Sequence, residues 1–210
     1  MSILDRLAGW PAPHDCLGCG VEGSLLCAKC CAQLPNARVP FSADSHLFAI
    51  RSATLYQGAA KDLLWRLKSG GAQEAARVMA HQMSKLVPAG TGAVIVPVPT
   101  ATSRVRQRGY DQAKLLARHL SKLTALPCSY LLARHGQVHQ VGAHRKTRLE
   151  QLGNALRVRK PSAVRGSHII LVDDVTTTGA TLETAANILK QAGAARVEAI
   201  TFAYAPRDFD

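Results

Sequence analysis

The chain has 210 residues, of which 47% are hydrophobic and 19% charged, and its formal net charge is +12. This composition is typical of one globular domain with a small appendage, and it excludes an intrinsically disordered chain. No apolar run approaches the length of a membrane span and the first residues lack a signal-peptide pattern, so we expect a cytoplasmic protein without membrane insertion. The positive charge is explained by an anionic partner, either a pyrophosphate-bearing substrate or nucleic acid, or by a basic surface that faces only solvent.

The amino-terminal region is rich in cysteine, since five of the six cysteines lie between residues 16 and 31. Two Cys-x-x-Cys pairs, Cys16 with Cys19 and Cys27 with Cys30, predict a closed tetrahedral zinc site. Cys31 is an alternative to Cys30 as the fourth ligand. A disulfide framework is the other interpretation, but it requires an oxidising compartment, for which the sequence has no targeting signal. We therefore expect structural Zn²⁺, which would supply folding energy to this short segment.

The rest of the chain predicts an α/β domain over residues 47–210, with residues 1–46 forming the zinc-binding appendage and a linker. Hydrophobic periodicity predicts, in order, a strand over 48–56, a helix that ends near Lys68, a second helix over 72–87 and a buried strand over 93–98. Later elements are a helix over 110–123, short strands over 130–132 and 155–159, and a final strand over 196–204.

Residues 104–112 form a basic segment that contains Arg104, Arg106 and Arg108. Alternating cations on a segment bounded by prolines and a glycine are typical of a mobile arm that folds over an anion. The alternative is a solvated loop. We expect the arm to act on a phosphorylated ligand, because the stretch that follows further along the chain predicts a phosphate site.

Residues 169–181 are the stretch around which the chain is organised. Four apolar residues lead directly into Asp173 and Asp174, which predicts a strand buried on both faces with two acids at its carboxyl end. Ligands bind at this end of the strands in open α/β sheets. A helical pattern follows and ends at Gly193, so the intervening Thr/Gly loop lies at a helix N-terminus, where backbone N–H groups favour a phosphate.

The chemistry of this loop points to a phosphorylated sugar. Gly179 allows the backbone to approach an anion closely, and hydroxyl donors come from Thr177, Thr178 and Thr181. Asp173 and Asp174 cannot hold phosphate themselves, but carboxylate oxygens suit sugar hydroxyls or a hydrated Mg²⁺. The stretch therefore predicts a site for a phosphorylated pentose with Mg²⁺.

This stretch closely resembles the 5-phosphoribosyl-1-pyrophosphate (PRPP) motif of type I phosphoribosyltransferases, with its apolar strand, acidic pair and Thr-Thr-Gly loop. Together with the cysteine pairs, the 104–112 segment and three later residues, Gln140, Arg148 and Asn154, it identifies the chain as a member of the ComF/GntX family of phosphoribosyltransferase-like proteins. That family is associated with bacterial competence and DNA uptake. The chain departs from its pattern at Gln151, where the family commonly has Asn. The resemblance implies a type I phosphoribosyltransferase fold, in which helices flank a parallel sheet.

The resemblance also implies roles for individual residues. The expected PRPP-binding residues are Asp173, Asp174, Val175, Thr176, Thr177, Thr178, Gly179, Ala180, Thr181 and Lys68. The expected catalytic residues are Asp173, Asp174, Arg104 and Arg108. The residues expected at the acceptor site or its hood are Tyr110, Gln112, Gln140, Arg148 and Asn154.

We expect the protein to transfer phosphoribose from PRPP, with Mg²⁺, to a nitrogenous acceptor that the sequence does not identify, in support of DNA uptake. Two alternatives stay open. One is a non-catalytic regulator that senses PRPP or a nucleotide. The other is a single-stranded DNA-binding competence protein that uses residues 101–160, which hold 13 of the 26 Lys and Arg residues. A competence-machinery protein and a second copy of the chain are further candidate partners.

Overall fold

The computed structural model describes residues 15–39, 45–47, 49–69, 72–134 and 156–206. Its strands are β1 (Ile50–Leu55), β2 (Val94–Pro97), β3 (Leu132–Arg134), β4 (Leu156–Val158), β5 (His168–Thr176) and β6 (Arg196–Tyr204). Its helices are α1 (Ala28–Ala32), α2 (Gly58–Ser69), α3 (Ala72–Ser84), α4 (Thr102–Arg108), α5 (Gln112–Thr124), α6 (Pro161–Val164) and α7 (Ala180–Gln191).

Four strands form a parallel sheet in the order β1-β6-β5-β2, which confirms the predicted parallel sheet with flanking helices. β5 and β6 are central, and their apolar runs are buried on both faces. Beyond β2, the sheet edge continues through an isolated parallel bridge between Ile95 and Cys128. β3 and β4 form a separate antiparallel pair.

Side chains alternate along β5 between two hydrophobic cores, because successive residues of a strand point to opposite faces. Ile170 and Val172 belong to the core that contains residues of α2, α3 and α5. Ile169 and Leu171 belong to the other core, which contains residues of α7. The sheet is therefore covered on both faces, and the two acids that follow on β5 continue this alternation.

The cysteine-rich segment packs on the first of these cores. Cys16, Leu25, Leu26 and Cys30 are buried in the same cluster as apolar residues of α2 and α3. Further along, the Pro35 carbonyl accepts hydrogen bonds from the backbone and side chain of β1: Leu55 N–H at 3.2 Å and the Thr54 hydroxyl at 2.9 Å. The division of the chain at residues 46 and 47 stays a prediction.

The structure differs from the sequence prediction in residues 104–112. The predicted mobile arm is wrong for most of this segment, because Thr102–Arg108 forms helix α4. Arg and Gln are good helix formers, and Gly109 ends the helix in a left-handed conformation with φ of 78°. The next helix begins at Gln112 and not at the predicted position 110, since Asp111 is its N-cap and accepts a hydrogen bond from Lys114 N–H.

The other boundaries shift by a few residues. α3 ends at Ser84 rather than at 87, and β3 begins two residues later than the predicted strand over 130–132. No helix of the described residues is long and apolar enough to cross a membrane.

Candidate functional site

The acid pair lies where the central sheet opens at its carboxyl edge. β2 pairs with β5 only as far as Pro97 opposite Val172, whereas β6 continues to pair as far as Thr176. β5 from Asp173 onward is therefore flanked by a strand on one side only. A crevice at this edge is the usual ligand position in an open α/β sheet.

Asp174 is a buried acid with a cation beside it. It is only 6% exposed, and its Oδ1 accepts the backbone N–H of Val175 at 2.8 Å. Its Oδ2 lies 3.3 Å from Nζ of Lys68 in the last turn of α2. Oδ2 is buried and accepts no hydrogen bond within the described part of the chain. Asp174 thus has a neutralising charge nearby and an acceptor atom that a ligand hydroxyl could use.

Asp173 has a different environment. Burial raises the pKa of its carboxyl well above the usual value, and the negative charges of Asp174 and Asp111 raise it further. The backbone N–H of Asp174 donates to Asp173 Oδ1 at 2.8 Å and partly opposes this effect. Asp173 therefore holds its proton more strongly than an exposed aspartate.

The loop after the acids leads into α7 as predicted. Thr177 and Thr178 are exposed, and Gly179 takes the left-handed conformation with φ of 75° immediately before the helix. A Cβ at position 179 would also lie 3.3 Å from Cδ1 of Ile50, so both conformation and space favour glycine. Gly179 provides no side-chain cap to the helix. The first N–H groups of α7 are thus free to face an anion.

α4 carries the predicted arginines, held on a helix instead of on a mobile arm. Arg104 is exposed, whereas Arg108 is half-buried at the end of the helix. Nη1 of Arg108 is buried and has no hydrogen-bond partner among the residues that the structure describes. A buried guanidinium nitrogen in this state favours an anionic ligand.

Tyr110 and Gln112, in and after the turn between α4 and α5, are both predicted to lie at the acceptor site, but their environments differ. The Tyr110 hydroxyl donates to the carbonyl of Leu67 in α2. Gln112, at 4% exposed, has a buried Oε1 without a donor in the described residues. Asp111 between them accepts the Thr100 hydroxyl at 3.0 Å. Tyr110 is thus engaged within the protein, and Gln112 retains an acceptor for a ligand.

Arg134, at the end of β3, is a charged neighbour of the site that sequence reasoning missed. Burial lowers the pKa of its guanidinium, and the positive charge of Arg104 adds to this, whereas Asp173 opposes it. Arg134 therefore interacts electrostatically with both Arg104 and Asp173. The sequence feature that could have indicated it is a single arginine directly after the apolar residues 131–133. The predicted acceptor residues Gln140, Arg148 and Asn154 lie outside the described residues.

The four predicted cysteine ligands come together. The Sγ atoms of Cys16, Cys19, Cys27 and Cys30 all lie within 4.8 Å of one another, so the cluster could hold a metal ion. Cys31 is not a member, and its thiol instead donates to the Leu26 carbonyl at 3.6 Å. The cluster that could hold a metal ion therefore contains Cys30 and not Cys31. All described cysteines are free thiols, without a disulfide among them.

The cluster also explains a glycine in the first cysteine pair. A Cβ at Gly18 would lie 2.7 Å from Sγ of Cys30, closer than real Cβ atoms approach any heavy atom. The two pairs therefore close around one point only because position 18 has no side chain.

The chain is similar in sequence to several known proteins. The model of the phosphoribosyl transferase domain matches residues 79–208. The chain is 34% identical over 208 residues to the competence protein ComFC of Bacillus subtilis, a match that covers 95% of this chain and 80% of ComFC. It is 35% identical over 108 residues to the DNA utilization protein YhgH of Escherichia coli K12, covering 50% of this chain and 46% of YhgH.

Among solved structures, the chain matches part of the glutamine PRPP amidotransferase of B. subtilis in complex with ADP and GMP. It is 22% identical, with a TM-score of 0.43, and the match covers 60% of this chain and 26% of that one.

The raised pKa of Asp173 predicts a pH-dependent stability. A raised folded-state pKa stabilises the protein below the unfolded value of about 3.9, and this contribution is lost as the pH rises through the folded value. We expect Asp173→Asn to unfold at a higher temperature than the wild type at neutral pH, with a difference that shrinks toward about pH 4.5. Each kcal/mol corresponds to about 2–4 °C for a chain of this size.

Thermal unfolding of both proteins across this pH range measures the difference. Asp62→Asn, which neutralises an exposed aspartate on α2, is the matched control and should track the wild type at every pH. A difference in unfolding temperature between Asp173→Asn and the wild type that stays constant with pH would contradict the raised pKa of Asp173.

Proposed function

The chain belongs to the phosphoribosyl transferase domain family, and within it to the ComF/GntX proteins, and on this premise we propose that it binds PRPP and transfers its phosphoribosyl group to a nitrogenous acceptor. One observation carries the proposal: an acid pair at the carboxyl edge of the sheet, in which Asp174 is buried and Asp173 half-buried, is followed within one short loop by a helix N-terminus without a side-chain cap. This order suits a ribose diol and its 5′-phosphate.

In this proposal the loop from Val175 to Thr181 surrounds the 5′-phosphate. The N–H groups of the first turn of α7 and the exposed hydroxyls of Thr177 and Thr178 donate to its oxygens. Asp174 accepts from a ribose hydroxyl through its Oδ2, which accepts no hydrogen bond in the described part of the chain. Mg²⁺, when bound with PRPP, would offset the charge of the pyrophosphate, and the carboxylates nearby are oxygen donors of the kind it prefers.

The cations of the site would serve the departing pyrophosphate. The bond between the anomeric carbon and the pyrophosphate oxygen breaks, and its electron pair leaves with the pyrophosphate. Arg108 has a buried nitrogen available for this anion, and the charges of both Arg104 and Asp173 act on the pKa of Arg134. Positive charge fixed in position stabilises the developing anion, and the carboxylates stabilise the positive charge on the ribose. The nitrogen lone pair of the acceptor then forms the new bond to the anomeric carbon.

The Asp174 assignment predicts a loss of PRPP affinity in Asp174→Asn. The variant keeps the shape of the side chain but removes the charge that accepts a ribose hydroxyl, so we expect the Kd for PRPP with Mg²⁺ to rise roughly tenfold or more. Calorimetric titration measures this change. Asp62→Asn removes the same charge from an exposed position and should bind PRPP like the wild type. An unchanged Kd in Asp174→Asn would refute the site.

A screen of nucleobases and amines with labelled PRPP separates transfer from sensing. Labelled product together with released pyrophosphate supports the enzyme. PRPP binding without transfer to any acceptor favours the regulator. Because both functions need the same ligand, the acceptor screen is informative only alongside the binding measurement.

We also propose that the cysteine cluster holds structural Zn²⁺. Zn–S bonds of about 2.3 Å in a tetrahedron place the sulfur atoms about 3.8 Å apart, and Sγ of Cys19 lies 3.8 Å from Sγ of Cys27. Burial opposes ionisation of the Cys16 thiol, but backbone N–H groups outweigh burial and lower its pKa to about 6. Hydrogen bonding to Cys19, with burial, raises the pKa of Cys30 to about 12. Four adjacent thiolates therefore need a cation to coexist.

Cys19→Ser tests the zinc assignment. We expect purified Cys19→Ser to lose most of its zinc and to unfold at a lower temperature, because Cys16 and Cys30 of the cluster are part of the core shared with α2 and α3. Elemental analysis and thermal unfolding are the measurements. Cys31→Ser, one thiol outside the cluster, should keep the wild-type zinc content. Undiminished zinc in Cys19→Ser would show that the cluster is not the metal site.

A second candidate function, single-stranded DNA binding, is favoured by a patch of basic side chains on α5 together with an aromatic side chain beside them. We call Lys114, Arg118, Lys122 and Tyr130 the basic α5 patch. The three cations are spaced by four residues and thus lie along one side of the helix. Arg118 Nε donates to the Tyr130 hydroxyl at 3.1 Å, and Lys114 Nζ lies 5.5 Å from the centre of its ring. An exposed aromatic ring among cations suits base stacking and phosphate contacts.

DNA binding by the basic α5 patch predicts a steep dependence on salt. In the double variant Lys114→Gln and Arg118→Gln, we expect weaker binding of an oligothymidylate and a log–log salt slope smaller by about 0.7 for each lost phosphate contact. Fluorescence anisotropy at several salt concentrations measures both. The control is Lys61→Gln with Arg66→Gln, which removes two exposed charges from α2. Equal effects of the two double variants would exclude a specific patch.

A further inference from the structure

Tyr110 connects the α4–α5 turn to the end of α2. Its hydroxyl donates to the Leu67 carbonyl, 43 residues earlier in the chain. Burial raises the pKa of the phenol, so it stays protonated and able to donate at neutral pH. Leu67 is in the last turn of α2, where carbonyls have no N–H partner further along the helix. Tyr110 therefore supplies a hydrogen bond at the C-terminus of this helix.

The next residue of α2 reaches the acid pair. Lys68 follows Leu67 directly, and its Nζ lies 3.3 Å from Oδ2 of the buried Asp174. The Leu67 side chain is itself fully buried, so the backbone of this turn is fixed both by packing and by the Tyr110 hydroxyl. A shift of the turn would move the Lys68 ammonium away from a carboxylate that has no other described cation within ion-pair distance.

We propose that Tyr110 is a positioning residue, which holds the last turn of α2 through the Leu67 carbonyl and so keeps Lys68 on Asp174. This assignment replaces the acceptor contact that the sequence predicts for Tyr110. Its significance for PRPP rests on the proposed function, whereas the positioning itself is a property of the protein without ligand.

The neighbours of Tyr110 support this division of roles. Asp111 anchors the same turn on its other side through Thr100 and the N-terminus of α5. Tyr110 and Asp111 are both engaged inside the protein. Within residues 108–112, the residues that have a buried polar atom without a partner in the described part of the chain are Arg108 and Gln112. The turn is thus anchored through its middle residues and presents its outer residues to a ligand.

A double-mutant cycle in the ligand-free protein tests the positioning. Lys68→Met removes the cation and leaves the buried Asp174 without an ion-pair partner. The denaturation midpoint of this variant should therefore be lower than that of the wild type. In the Tyr110→Phe background, where Lys68 is no longer held in place, we expect at most about half of that shift. Ser121→Ala removes another hydroxyl bound to a backbone carbonyl, that of Leu126, and should show no coupling to Lys68→Met.

Each outcome of this cycle decides the inference. Shifts of equal size in the two backgrounds overturn the inference. A Lys68→Met variant that is as stable as the wild type also overturns it, because the ion pair would then contribute no stability for Tyr110 to maintain. Tyr110→Leu takes the place of Tyr110→Phe if the latter does not fold.

A second cycle measures PRPP with Mg²⁺ by calorimetry. Tyr110→Phe should raise the Kd about three- to tenfold in the wild type, as expected for one lost hydrogen bond, and less than about twofold in Lys68→Met. The same factor in both backgrounds would mean that Tyr110 contacts the ligand directly, which overturns the inference. A wild-type protein that does not bind PRPP would refute the proposed function alone, since the ligand-free cycle still decides the role of Tyr110.

Discussion

The placement of two adjacent carboxylates at the end of β5, one buried and one half-buried, is the constraint on which the rest of the site depends. Consecutive residues of a strand point to opposite faces, so a single element cannot neutralise both acids. Asp174 follows Val172 toward the core of α2, α3 and α5, and Lys68 of α2 lies beside it. Asp173 follows Leu171 toward the opposite face, where its electrostatic neighbours include Arg134 of β3. The position of each flanking element is thereby tied to one acid.

The amino-terminal segment stabilises both elements that frame the acids. Around the cysteine cluster, Leu25 and Leu26 pack in the core that includes α2, the helix of Lys68. On the other face of the sheet, Glu183 in the first turn of α7 accepts hydrogen bonds from Ser45 Oγ and His46 N–H, both at 2.5 Å. These two bonds engage both oxygens of the Glu183 carboxylate and so tie Ser45 and His46 to the first turn of α7. The cysteine appendage is thus a structural part of the site's scaffold.

The sequence predicts the centre of this protein well, because its signals there are local. An apolar run stopped by Asp173 and Asp174, a loop with Gly179 and a periodic helix all lie within one short stretch, and the structure has the same order. The cysteine pairs are equally local. The pairing of Lys68 with Asp174 and the bond from Tyr110 to Leu67 join residues far apart in sequence, so only the topology of the sheet reveals them.

The prediction for residues 104–112 failed for a physical reason that also bears on function. Alternating arginines between prolines and a glycine are compatible with a loop, but the intrinsic preference of Arg and Gln for helix prevails over Thr102–Arg108. The consequence is electrostatic. A mobile arm would have to be ordered by each ligand, whereas a helix holds the Arg108 guanidinium in place beforehand. Fixed charge is what stabilises a departing pyrophosphate most effectively, since no reorganisation accompanies bond breaking. The same prior arrangement also lowers the cost of binding an anion, so a helical α4 would serve both the binding of PRPP and the proposed transfer.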